Sequence, residues 1–206
     1  MPQLKPLTYL IEVARIGSIR KAAEALAITP SALNRRILAL EEELGAPIFE
    51  RLQRAGARNV QTRDPETGKL DDLEGRMDLV FLDVPCSGTG VWRRRPDSKW
   101  RITANALSGR LREQREVLAQ ASRYVRPGGY LAYATCSLLP CENQTQVRAF
   151  LSDNPLFQAE PLVSRWEQVF GETATKPRFT EEGFATLSPA RTNTDGFFVA
   201  LLKRAD

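Results

Sequence analysis

The sequence predicts an α/β fold preceded by an all-α helix-turn-helix segment. Three observations carry this reading. Residues 1–50 are helical throughout, with Leu7, Leu10, Ile11, Val13 and Ala14 recurring at helical spacing. After residue 53 the pattern changes, and a short apolar run at 77–82 precedes a helix-like stretch. Gly128-Gly129 then breaks that stretch from a second apolar run, YLAYATC, at 130–136.

The elements follow in order. Gly17 stops the first helix, and Ser18 is a good N-cap for the next, SIRKAAEAL. Ala27-Ile28 makes a tight turn. Thr29 caps a third helix with Pro30 at its first position, where a missing N–H costs nothing. Ala32, Leu33, Ile37, Leu40 and Leu44 line one face of that helix, and Gly45 ends it. A short helix, a tight turn and a helix that begins with polar and basic residues form a helix-turn-helix arrangement. Ser31, Asn34, Arg35 and Arg36 fall in the early turns of the third helix, where they could meet base edges or phosphates of duplex DNA. A plain three-helix bundle with a solvated basic face has the same pattern.

Past residue 53, Met77-Asp78-Leu79-Val80-Phe81-Leu82 reads as a buried parallel strand. It hands over to DVPCSGTG, an abrupt loop at 83–90 shaped by proline and glycine. The stretch ALSGRLREQREVLAQASRYV reads as a helix, 130–136 as the second strand and ENQTQVRAFLSDN as another helix. A strand pair is expected around 184–188 and 196–204. Strand, helix and strand with a glycine break point to right-handed βαβ units.

Composition narrows the function classes. The 206 residues make one large domain or two small ones, with ordinary apolar (42%) and charged (26%) content. No apolar run approaches the roughly 20 residues that span a bilayer, and the first residues lack a signal-peptide core, so a cytoplasmic location is expected. Histidine is absent, which excludes His triads, His bases and His metal ligands. The net charge of +4 permits a nucleic-acid partner. Three cysteines, at 86, 136 and 141, are too few for a disulfide framework. They lack C-x₂-C spacing, so no metal site is assigned.

Strand ends are where α/β proteins place their sites. Cys86 lies three residues after Asp83, and Cys136 closes the second strand. If the strands are neighbours, the thiols converge at one edge. Two thiols and an acid without histidine fit one reaction well. Carbon-5 of cytosine is a poor nucleophile until a thiolate adds at carbon-6, while an acid near ring N3 supports the charge. The carbon-5 proton must then leave and the thiol be expelled.

Two resemblances bear on these residues. GSIRKAAEALAITPSALNRRILALEEELGAPIFERL is similar to the DNA-binding domain of LysR-type transcriptional regulators, matched over residues 4–52. That implies a winged helix-turn-helix that binds duplex DNA through residues 18–45 and forms a homodimer. DVPCSGTG, VWRRRPDSKW, LREQREVLAQASRYVRPGGYLAYATCSLLPCENQTQV and SPARTNTDGFF resemble the bacterial rRNA cytosine-5 methyltransferases of the Sun/Fmu group, from about residue 53 to the C-terminus. The chain therefore divides, on this reading, into 1–52 and 53–206. The second resemblance implies a Rossmann-like class I methyltransferase sheet and S-adenosylmethionine as methyl donor. It makes Cys136 the nucleophile and Cys86 the thiol that resolves the adduct. Asp83 contacts the cytosine and sits beside the donor, and Pro85 shapes the donor-side loop. Arg93, Arg94, Arg95 and Lys99, with Trp92 and Trp100, form an RNA-facing segment. Val84 stands where the family usually has a smaller alanine, and Cys141 is incidental.

RAGARNVQTRD (54–64) resembles the family's third strand, but no glycine-rich donor turn or ribose-binding acid is recognised before residue 77. The sheet is thus expected to be incomplete. One edge and one apolar face would be open, and little methylation is expected from this chain by itself.

Overall fold

A computed structural model describes residues 23–26, 29, 70–172 and 174–206. The chain forms two compact units, Met1–Lys69 and Leu70–Asp206. In the first, residues 23–25 are helical and Leu26 is in a turn, at the end of the expected SIRKAAEAL helix. The remaining elements expected in 1–52, and the strand expected in 54–64, lie outside the described residues.

The second unit is a mixed sheet with helices. Its strands are β1 (Met77–Asp83), β2 (Val125–Thr135), β3 (Phe157–Ala159), β4 (Arg178–Phe179), β5 (Ala185–Leu187) and β6 (Phe197–Arg204). Its helices are α1 (Ala104–Ser122), α2 (Gln144–Asp153), α3 (Leu162–Phe170) and α4 (Pro189–Thr192). The strand order is β1-β2-β6-β5-β4, with β3 also on β6. β1 and β2 are parallel and joined through α1, the expected βαβ unit, whereas every other pair is antiparallel. No helix among the described residues is long and apolar enough to cross a membrane.

Local chemistry sets the element ends. α1 begins two residues before the expected start, because Thr103 Oγ1 accepts from the Ala106 N–H at 3.2 Å and caps it. It stops at Ser122, since Val125 is already buried in β2. β2 starts at Val125 and not at 130, and it reads through the glycine pair with a break in register. Met77 faces Val125 and Leu79 faces Tyr130, so Arg126 to Gly129 bulge out between them. Gly128 sits there at φ +70°, and a Cβ on Gly129 would lie 2.9 Å from the Arg126 carbonyl oxygen.

Alternation along the strands builds one core face. Val80, Leu82 and Val84, Leu131 and Tyr133, and Phe198, Ala200 and Leu202 meet Leu118 of α1 and Val147 and Phe150 of α2. Each large side chain buried there contributes on the order of 1.5–3 kcal/mol. Val84 is wholly within this core, which accommodates its bulk. The opposite face is covered beside β5 and β6 by α3, where Trp166 packs on Phe170 and Phe179. At the β1 end it is open among the described residues. Leu79 and Phe81 are 54% and 63% exposed, and among the described residues β1 pairs only with β2.

The loop after β1 crosses the loop before β6 at two glycines. Gly90 N–H donates to the Cys136 carbonyl and Gly196 N–H to the Gly90 carbonyl, both at 2.9 Å. A Cβ on Gly90 would fall 2.1 Å from the Gly196 carbonyl oxygen, and one on Gly196 would meet Gly90 Cα at 2.6 Å. Backbone cannot yield as a side chain can. Gly90→Ala is therefore expected to lower unfolding stability by roughly 2–4 kcal/mol in urea titrations. Gly109→Ala, inside α1 with nothing within 4 Å of its Cβ, is expected to raise it by about 0.5–1 kcal/mol.

Candidate active site

Adjacent parallel strands deliver the two thiols. Asp83 pairs with Ala134, and Val84 N–H donates to the Ala134 carbonyl at 3.2 Å. Three residues past Asp83 and two past Ala134, Cys86 Sγ and Cys136 Sγ stand 3.3 Å apart. Both are half-buried. The expected convergence of the thiols at one sheet edge is what the register produces.

Behind the thiols lies Glu142, fully buried at 0% exposure. Its Oε1 accepts from Ser87 N–H at 2.8 Å and from Gln114 Nε2 at 3.2 Å. Its Oε2 accepts from the hydroxyls of Ser87 and Ser137, each at 2.5 Å. Ser87 follows Cys86 and Ser137 follows Cys136, so one carboxylate holds both thiol-bearing loops. With both protons committed to Glu142, the 3.3 Å contact between the two serine oxygens has no proton of its own. Ser137 Oγ also accepts from Leu139 N–H at 3.0 Å, and Thr89 Oγ1 accepts from Leu138 N–H at 2.8 Å. Asn143 Nδ2 donates to the Ser137 carbonyl at 2.9 Å, while Thr135 Oγ1 donates to Asn143 Oδ1 at 2.6 Å. Gln114 Nε2 also donates to the Pro85 carbonyl at 2.9 Å, which pins the proline to α1. Such a network is costly to disrupt because buried polar groups lose water as an alternative partner.

The thiols are not equivalent. The hydrogen bond between the sulfurs lowers the Cys136 thiol to about 7, against opposing pushes from burial and from the charges of Asp83 and Glu142. The same hydrogen bond, reinforced by burial, holds Cys86 well above the ordinary thiol range. Cys136 is thus the more acidic of the two thiols. Asp83 ends β1 with its side chain exposed. A cavity of about 230 Å³ opens beside Cys86 and Ser87, walled by Ser98, Ile102, Leu107 and Arg110.

The basic segment is less free than its sequence implies. Arg93 and Arg94 both pair with Asp195 from the Gly196 loop, Arg93 at 3.7 Å. Lys99 lies over the rings of Trp92 and Trp100, at 5.9 and 5.4 Å from their centroids. Trp100 is 81% exposed, whereas the Trp92 indole N–H is buried without a partner. Arg95 is exposed. Cys141, in the 3-10 turn Pro140–Glu142, has no part in the thiol contact. The DNA-facing candidates Ser31, Asn34, Arg35 and Arg36 lie outside the described residues.

Three positioning groups escaped a role in the sequence reading. Glu142 was visible only as part of a family motif, Gln114 is indistinguishable from a surface residue of a polar helix, and Asp195 is an ordinary turn acid.

The site is thus a pair of thiols past two adjacent parallel strands of a mixed α/β sheet. The family model for the 16S rRNA methyltransferase RsmB/F matches residues 32–203, and the chain belongs to that family. The match begins inside the segment that resembles LysR-type regulators. Ribosomal RNA small subunit methyltransferase B of Xanthomonas campestris is 33% identical over 92% of this chain and 46% of its own length. Its counterpart in Cronobacter sakazakii is 41% identical over 75% of this chain and 33% of its own length. Among solved structures, NSun6 from Pyrococcus horikoshii with SFG aligns at TM-score 0.61 and 26% identity, covering 81% of this chain and 40% of that one. The chain spans less than half the length of these relatives.

Two outcomes follow from the site. Iodoacetamide should alkylate Cys136 with a rate midpoint near pH 7, and Cys86→Ala should raise that midpoint toward an ordinary thiol value of about 8.5, because the proton that favours the thiolate is gone. Peptide mass spectrometry after timed alkylation checks this. Glu142→Gln replaces the Oε2 acceptor with a donor facing two hydroxyls. Chemical denaturation should show a loss of about 1–3 kcal/mol.

Proposed function

We propose that residues 53–206 act as an S-adenosylmethionine-dependent rRNA cytosine-5 methyltransferase-like unit with Cys136 as nucleophile. The single observation that carries this reading is the 3.3 Å contact between two thiols at the exits of adjacent parallel strands. Cys136 Sγ adds to carbon-6 of the cytosine, which makes carbon-5 nucleophilic. Asp83, beside Cys136 at the end of β1, supports the ring at N3. After carbon-5 is methylated, its proton passes to solvent water and the Cys136–carbon-6 bond breaks. Cys86 assists that release, returning its proton to the departing thiolate. Family membership and the relatives named above support rRNA as substrate.

S-adenosylmethionine would supply the methyl cation equivalent. Among the described residues, Asp83 and Pro85 are the groups placed to border it, at the C-terminal end of β1. The glycines there do not form a cradle. Gly90 is filled by the backbone of Gly196, and Gly128 and Gly129 lie at the other end of β2. The described residues fit one wall of a donor site, so no step is assigned to further contacts.

For the RNA, Arg95, Lys99 and Trp100 offer an exposed cation and stacking surface. Arg93 and Arg94 act through Asp195, which orients the segment. For residues 18–45, duplex DNA binding rests on sequence resemblance and is tested separately, by retardation of duplex DNA at physiological salt.

The direct test is an RNA carrying 5-fluorocytosine together with the donor. The expected result is a covalent RNA–protein species mapped to Cys136, absent in Cys136→Ser. With ordinary RNA, Cys86→Ser should accumulate an adduct that the native chain releases. No heat of donor binding in calorimetry at millimolar S-adenosylmethionine would sink the enzymatic reading.

A further inference from the structure

The sulfur–sulfur contact has a second chemistry, independent of methyl transfer. We propose that Cys86 and Cys136 form a reversible oxidation site, closed to a disulfide by hydrogen peroxide and reopened by a dithiol. The two sulfurs stand 3.3 Å apart, and a disulfide bond is about 2.05 Å, so closure requires a movement of roughly 1.2 Å. Their neighbours Ser87 and Ser137 are both tied to Glu142, which holds the loops in register for that closure. Both thiols are reachable, and the cavity of about 230 Å³ at Cys86 admits a molecule as small as a peroxide. Cys141, five positions after Cys136, is a free thiol outside that hydrogen bond.

The steps balance. The Cys136 thiolate attacks one peroxide oxygen. An S–O bond forms, the O–O bond breaks, and the departing hydroxide takes up a proton to become water. Cys136 is then a sulfenic acid. Cys86 loses its S–H proton and attacks the Cys136 sulfur. The S–S bond forms, the S–O bond breaks, and the second oxygen leaves as water. Overall two thiols lose two electrons and two protons to one peroxide. Because the resolving thiol already touches Cys136, closure outpaces further oxidation of the sulfenic acid, which is not reversible by thiols. Closed, the pair presents no free nucleophile. Open, it is restored without loss of sulfur chemistry.

The test uses the full chain at a small molar excess of hydrogen peroxide, quenched and then alkylated in denaturant. Free thiols should fall from three to one, with a mass loss of about 2 Da and a single cross-linked peptide pair containing Cys86 and Cys136. Dithiothreitol should return three. Cys141→Ser should give the same cross-link and fall from two thiols to none. In Cys86→Ser, Cys136 should instead gain two or three oxygens. Oxygen addition at Cys136 of the native chain without a cross-link would overturn the proposal. So would cross-links to Cys141 as frequent as in the guanidinium-unfolded chain.

Discussion

The buried carboxylate of Glu142 is the constraint on which the site depends. A carboxyl group removed from water is tolerable only when its lone pairs are filled, and four donors fill these. Three come from Ser87 and Ser137, the residues adjacent to the thiols, and one comes from Gln114 of α1. The carboxylate therefore does more than satisfy itself. It joins the exit of β1, the exit of β2 and the helix that connects them, three pieces that would otherwise move independently. This arrangement holds the two thiol-bearing loops side by side, where the sulfurs meet at 3.3 Å.

The Gly90–Gly196 crossing does for the backbone what Glu142 does for side chains. It brings the catalytic loop against the segment before β6, and with it Asp195, which holds Arg93 and Arg94. The antiparallel insertion of β6 beside β2 makes this crossing possible. The price is an asymmetric sheet: the β6 side is wrapped by α3, while the β1 side presents Leu79 and Phe81 to solvent among the described residues. Chemistry and vulnerability thus share one strand, since β1 carries Asp83 at one end of that apolar edge.

Much of the fold was legible because it rests on local signals. The β1 run, the long helix and the Gly-Gly break are strong patterns, and they recovered the βαβ unit to within a few residues at most ends. α3 and β3 were not legible. α3 has nine residues, and its apolar stripe has meaning only when Trp166 meets Phe170 and Phe179. β3 has three residues and exists through pairing with β6. The start of β2 was misplaced because proline and glycine read as a turn, whereas a bulge in register carries the strand through them.

By itself the sequence determined which groups are available: no histidine, three thiols, an acid at a strand end and a family signature around them. It also determined that the thiols would meet if their strands were neighbours. Only the tertiary structure decided that they are neighbours, and that Cys136 is the more acidic thiol. It decided as well that Glu142 is a clamp and that two of the arginines answer to Asp195. The physical reason is range. Turn and strand propensities act over a few residues, but a thiol's proton affinity depends on what stands within a few ångströms, and here that partner lies fifty positions away.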